Sequence, residues 1–227
     1  MSHLIHQLGL PPTFGFSDVF SIDEPELLAF VPRPSSALLL VFPVSPTYEA
    51  SRVKEDEPLP QYTGSGPNEP VMWFKQTIRN ACGLIGLLHA VSNGEPRKHV
   101  TPGSDLDGLL REAEGLDPLA RADLLYDSKA LESAHADAAK LGDTQAPEAE
   151  DSVDLHFVAF VKGVDGRLWE LDGRRKGPLD RGHLTEEEDA LSEKALDLGV
   201  RRFLKTETAG GNPDLRFSLV SLGPVFD

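Results

Sequence analysis

The sequence predicts an α/β domain of the α+β kind with a mainly antiparallel sheet, and three observations carry that expectation. Residues 155–162, LHFVAFVK, and 167–173, RLWELDG, are two β-rich runs joined by the turn residues GVDG, the pattern of a hairpin. Segments with helical apolar spacing and end-capping residues stand before and after that hairpin. Hydrophobic residues make up 40% of the 227, enough for one sizeable core, and no shift in composition divides the chain into comparable halves, so a single domain over 1–227 is expected.

In chain order, Leu4 to Leu8 has a short helical pattern that Gly9 stops. Asp23 to Phe30 has a second, with Asp23 as its cap and Pro32 and Pro34 beyond its end. ALLLVF at 37–42 is a continuous apolar run bounded by Pro34 and Pro43, as in a strand covered on both faces. Residues 45–70 are acidic and rich in proline and glycine, and read as loop. The next helix starts near Ala81 and is ended by Asn93 and Gly94. DLDG at 105–108 has neither a third oxygen ligand before its glycine nor the downstream glutamate of a calcium loop, and reads as a helix start.

Asp117 can cap a helix with Pro118 at its first position, expected to run through Leu124, Leu125, Leu131 and Ala134 toward Lys140 as one long element. GDTQAPEAEDSVD, 142–154, has almost no apolar content and reads as a loop of the length usual for lids and binding segments. After the hairpin, Thr185 and Glu188 form a capping box for a helix through Leu198. LRFSLVSL at 215–222 largely alternates apolar with polar positions and closes the chain as a strand.

Composition narrows the function. One cysteine cannot close an internal disulfide, and MSHLIHQLGL lacks the basic start and apolar run of a secretory signal, so a reducing, cytoplasmic setting is expected, with entry into the nucleus left open. The longest apolar run, Ala37 to Phe42, is far below the roughly 20 residues that cross a bilayer. A formal charge of −15 repels nucleic acid and anionic membranes and favours a basic partner. No cofactor or metal motif stands out, and no heptad argues against a monomer.

The single cysteine, Cys82, falls in the first turn of the helix expected from Ala81. There, unpaired backbone N–H groups and the positive end of the helix dipole favour a thiolate. The alternative is a buried structural thiol, common because free cysteine is among the most buried residue types. A nucleophile needs a base. His89 lies seven residues on, about 10 Å along the helix axis, too far to reach the sulfur. His3, His6, His99, His135 and His183 stand near the terminus or in polar settings that suit solvated side chains. His156 instead begins the HFVAFV strand, apolar on both faces, and so sits on a rigid element at the mouth of a buried sheet.

With the turn centred near 164–165, position 156 faces 172 or 173, which sets Asp172 beside His156. A carboxylate there can accept the second imidazole N–H and support the imidazolium of a Cys–His ion pair. Gln76, six residues before Cys82 in the loop entering the helix, can join the Cys82 N–H in holding the oxyanion of an acyl-transfer intermediate.

These residues resemble a known family. QTIRNACGLIGLLHAVSN matches the glutamine and cysteine box of the ubiquitin C-terminal hydrolases, DLHFVAFV their histidine strand and ELDGR their aspartate strand, most closely in the small single-domain members. QLGLPPTFGFSDVFSID, ELLAFVPRP and DLRFSLVSL look like the family's terminal segments, so the resemblance spans nearly the whole chain.

The resemblance implies a papain-like cysteine peptidase fold, a sheet between helical layers, a knotted backbone, and a crossover loop above the active site where GDTQAPEAEDSVD stands. It assigns Cys82 as nucleophile, His156 as base and then acid, Asp172 as orienting carboxylate and Gln76 as oxyanion donor. Because a leaving group must pass that loop, the implied substrate is ubiquitin carrying a small or unfolded C-terminal adduct. Asp18 and Asp214 stand where the family has acidic contacts to ubiquitin's basic tail or basic face. Two other readings stay open: a protein that mainly holds monoubiquitin over a silent site, and a hydrolase of a ubiquitin-like modifier ending in two glycines.

Overall fold

The computed structural model describes residues 1–78, 80–140, 155–209 and 216–225. In chain order the elements are α1 (Ser2–Leu8), β1 (Phe14–Asp18), α2 (Pro25–Leu28), β2 (Ala37–Pro43), α3 (Pro46–Asp56), α4 (Cys82–Val91), α5 (Gly94–Lys98), α6 (Asp105–Glu114), α7 (Pro118–Asp127), α8 (Lys129–Lys140), β3 (Leu155–Lys162), β4 (Arg167–Leu171), β5 (Leu179–His183), α9 (Glu193–Leu198), α10 (Val200–Ala209) and β6 (Ser218–Pro224). The strands form one six-stranded sheet in the order β1-β6-β2-β3-β4-β5, and every neighbouring pair is antiparallel. This is the α+β architecture the sequence predicts, and the expected crossover at 142–154 lies outside the described residues.

The continuous apolar run of β2 is explained by burial on both faces. Ala37 and Leu39 join a core with Ala159 and Val161 of β3, Leu4, Ile5 and Leu8 of α1, and Leu87 and Leu88 of α4. Leu38, Leu40 and Phe42 face the other way, into a second core with Val158, Phe160, Leu196 of α9 and Val200 of α10. Helices therefore cover both faces of the sheet. Helix α4 lies especially close: a Cβ added at Gly86 would sit 2.8 Å from Leu39 Cδ1 and 3.1 Å from Phe157 Cβ.

Several elements depart from the sequence reading, some through tertiary contacts and some through local capping. The segment 45–70 is not all loop: α3 is an 11-residue helix capped by the Ser45 side chain, with Pro46 in its first turn. Its polar face is held by ion pairs, Arg52 with Glu49 at 2.8 Å and Asp56 with Arg175 at 2.8 Å, rather than by an apolar stripe. Helix α2 is only four residues long and begins after Glu24, not Asp23, because the Ser21 hydroxyl accepts the backbone N–H groups of Asp23 and Glu24. The long helix after Asp117 is two, broken at Ser128, whose ψ of 101° is extended. Thr185 and Glu188 do pair as a capping box would, Glu188 Oε2 accepting the Thr185 N–H at 2.7 Å, but the helix starts later, capped by Ser192. Strands β1 and β5 carry no period strong enough to read in isolation, whereas α10 has Val200, Phe203 and Leu204 at helical spacing, a signal the sequence reading passed over.

Candidate active site

Helix α4 begins at Cys82, with Ala81 as its N-cap, so the thiol sits at the first helical position, as expected. Cys82 is 8% exposed. Its thiol lies 3.6 Å from the Leu155 carbonyl, to which it donates, and close enough to the His156 ring to raise that ring's hold on a proton. His156 enters on β3 opposite Phe42 of β2, and its ring packs edge-on against Phe42 at 5.7 Å between centroids.

His156 Nε2 bonds Asp172 Oδ1 at 2.8 Å, which leaves Nδ1 for the sulfur side. The register differs in detail from the sequence reading. Ala159 pairs Leu171, so extending the ladder places Val158, not His156, opposite Asp172. The two side chains instead meet along the diagonal, which long side chains can span, and they do so where β4 ends at Leu171.

Asp172 is fully buried and densely held. Its Oδ1 also accepts the Arg174 backbone N–H at 2.8 Å, its Oδ2 accepts the Tyr48 hydroxyl at 2.5 Å, and its backbone carbonyl accepts the Trp73 indole N–H at 3.1 Å. Burial alone would raise this carboxyl, but the facing His156 charge and the hydrogen bonds from His156, Tyr48 and Arg174 hold it far below the usual carboxylate range. The converse holds for His156. Burial pushes it down, but the Asp172 charge and hydrogen bond, with a smaller contribution from Cys82, raise it to about 9.

Gln76 reaches the same site from the segment before α4. Its backbone N–H bonds the Gly173 carbonyl at 2.8 Å, and a Cβ at position 173 would lie 2.9 Å from Gln76 Cβ. Glycine there lets the glutamine segment approach the residue after Asp172. The Gln76 amide donates to Ile78 O at 3.0 Å and has no second acceptor among the described residues.

His89, too far along the helix to serve the sulfur, proves to be a fully buried clamp on that segment. Its Nε2 accepts the Phe74 N–H at 2.9 Å, and burial, outweighing the nearby Asp172 charge, lowers it to about 4. Asn93 works beside it, bonding Met72 N–H at 2.7 Å and Met72 O at 3.0 Å. One helix thus presents Cys82 at its start and, from its far half, anchors the segment that delivers Gln76.

Asp18 stands apart, exposed at the end of β1, with no ion-pair partner among the described residues. Asp214 lies outside the described residues. Sequence reasoning missed Tyr48, Trp73 and Phe42. The pair Ser45–Pro46 was the available signal for the first, since it marks the start of the helix that presents Tyr48. No cluster of metal-ligating side chains occurs among the described residues.

A family model described as ubiquitin carboxyl-terminal hydrolase, family 1, matches residues 1–205. The chain is 36% identical over 222 residues to ubiquitin carboxyl-terminal hydrolase isozyme L1 of Rattus norvegicus, covering 98% of this chain and 93% of the relative. It is 34% identical over 231 residues to ubiquitin carboxyl-terminal hydrolase YUH1 of Saccharomyces cerevisiae, covering 100% and 92%. Among solved structures, the Trichinella spiralis UCH37 catalytic domain bound to ubiquitin vinyl methyl ester superposes with a TM-score of 0.70 over 99% of this chain and 91% of that one, at 20% identity. That last likeness is one of fold.

Proposed function

The chain belongs to ubiquitin carboxyl-terminal hydrolase family 1, and from that membership we propose how its own residues carry the reaction. It is a cysteine-type deubiquitinating hydrolase. The observation that carries the assignment of roles is a helix-initiating thiol within reach of His156, whose far nitrogen is held at 2.8 Å by the buried Asp172.

In the first half-reaction His156 takes the Cys82 proton, and the sulfur attacks the carbonyl carbon of ubiquitin's last glycine. The C=O becomes a tetrahedral oxyanion, which accepts hydrogen bonds from the second Gln76 amide N–H and from the Cys82 backbone N–H, which has no partner inside the helix. The bond to the adduct then breaks as His156 returns the proton to the leaving atom, giving a thioester. Water, deprotonated by His156, adds to the thioester, and Cys82 leaves with the proton regained. Asp172 supports the imidazolium in both halves.

Ubiquitin's basic tail suits a chain of charge −15. Asp18, exposed at the end of β1 and two residues before the exposed Phe20, is our candidate contact for it. Small or unfolded adducts are the proposed leaving groups, as the resemblance implies for a loop at 142–154.

The test mixes the protein with ubiquitin ending in a thiol-reactive electrophile and reads intact mass, beside turnover of a ubiquitin C-terminal amide. One adduct and measurable turnover, both lost in Cys82→Ala while ubiquitin still binds, are expected. Turnover that survives in Cys82→Ala would overturn the assignment. A matching probe on a ubiquitin-like modifier measures the preference between the two tails.

A further inference from the structure

The two oxygens of the Asp172 carboxylate are used differently. Oδ1 takes both the His156 ring N–H and the Arg174 backbone N–H, each at 2.8 Å. Oδ2, in a side chain with no exposed surface, takes the Tyr48 hydroxyl and no other partner among the described residues. A carboxylate bonded at one oxygen only is free to turn about its Cβ–Cγ bond; the second, independently anchored donor fixes its plane.

Tyr48 is built to be such an anchor. It is 5% exposed. Its ring stands edge-on against Phe42 at 4.8 Å and lies 6.0 Å from Phe203 of α10. Its backbone N–H bonds the Ser45 hydroxyl oxygen at 2.9 Å, and that hydroxyl donates to Glu207 of α10, also at 2.9 Å. Ring, backbone and helix start are thus each tied to a different neighbour. The groups that bear on the hydroxyl are Asp172 and Glu170 from the β4 side, Arg175 from the following turn, and Arg52 from its own helix. Burial, with the Asp172 charge and hydrogen bond behind it, pushes the phenol well above its ordinary range, so it remains a donor wherever the enzyme works.

We propose that Tyr48 is a positioning residue of the hydrolytic reaction. Its hydroxyl, donated to Asp172 Oδ2, fixes the plane of the carboxylate and draws off part of its charge, and so limits how tightly His156 holds its proton. The consequence is kinetic. Without the hydroxyl, the buried carboxylate leans harder on the imidazolium, and a more basic His156 is a weaker acid toward the leaving group. Nothing in this touches ubiquitin binding, so kcat and not KM is affected.

Tyr48→Phe keeps the ring and removes the hydroxyl. The rate of Cys82 alkylation by iodoacetamide across pH reads the His156 titration without any need for ubiquitin, so its outcome is independent of substrate identity. The upper step of that profile is expected to move to higher pH in Tyr48→Phe. Turnover of a ubiquitin C-terminal amide is expected to fall about 3- to 10-fold in kcat, the size of one lost hydrogen bond, with KM unchanged. In an Asp172→Asn background the same substitution should cost almost nothing further, because the residue acts through Asp172. Placing 3-fluorotyrosine at position 48, a stronger donor, should move the step the other way. An upper step that stays or moves down in Tyr48→Phe, or an equal loss in the Asp172→Asn background, overturns the proposal.

Discussion

Acid should weaken this fold through one residue. His89 is completely buried, its Nε2 accepts the Phe74 N–H at 2.9 Å, and its folded-state value is about 4, against an ordinary value of about 6.5 in the unfolded chain. Between those two values the unfolded chain binds the proton and the folded one does not, so stability falls as pH falls through this window. At pH 5 the unfolded imidazole is almost fully protonated and the folded one almost not at all, which costs about 2 kcal/mol relative to pH 7.

His156 acts in the opposite sense. Its folded value of about 9 gives stability that is complete below about 6.5 and lost as pH rises through 9, so it adds less than about 1 kcal/mol between pH 7 and 5. The contribution of Asp172, whose carboxyl is depressed, is lost only below about 3.9, outside the window. Urea unfolding at pH 7 and pH 5, on the natural protein and on His89→Gln, isolates the effect, since glutamine can still accept the Phe74 N–H but does not titrate. The natural chain should lose about 2 kcal/mol more than the variant over that interval. Parallel losses would refute the reasoning.

Two further substitutions probe how the site is framed. Arg121 is fully buried, paired with Glu69, and donates to the Ala113 carbonyl at 2.8 Å and the Trp73 carbonyl at 3.3 Å; Glu69→Ala leaves that guanidinium uncompensated and should cost about 3–5 kcal/mol, a fall in Tm on the order of 10 °C by calorimetry. Gly86→Ala puts a methyl 2.8 Å from Leu39 Cδ1, and the crowding of about 1–3 kcal/mol should exceed the roughly 1 kcal/mol gained in helix propensity. Chemical denaturation should therefore show a net loss, with reduced turnover as α4 is pushed away from the strand that carries His156; a stabilised, fully active variant would contradict this.

Much of the site was legible before any fold was known, because its chemistry is written in residue type and local position. A lone cysteine at a helix start, a histidine opening a strand that is apolar on both faces, an aspartate at the far end of the same hairpin and a glutamine before the helix each carry a local signal, and the structure brings these four together. The helix-starting role of Cys82 and the bounds of the LHFVAFVK strand depend on capping and periodicity, which act over a few residues. The hairpin turn located Asp172 only to within a residue or two, since register past the end of a ladder is decided by side-chain packing rather than by the turn.

What tertiary structure alone decided are the partners brought in from distant parts of the chain. Tyr48 stands 124 residues from the carboxylate it bonds, in a helix whose polar sequence reads as loop until Arg175 and Arg174 arrive to pair with its acidic face. Strand β5 likewise exists because β4 offers it an edge, with Arg181 pairing Glu170 and Glu55. Local propensity is worth tenths of a kilocalorie per residue, whereas a buried charge left without its partner costs several. Helix α3 and strand β5, which the sequence did not reveal, are accordingly held by buried polar contacts, and α3 supplies the hydroxyl that holds Asp172 in place.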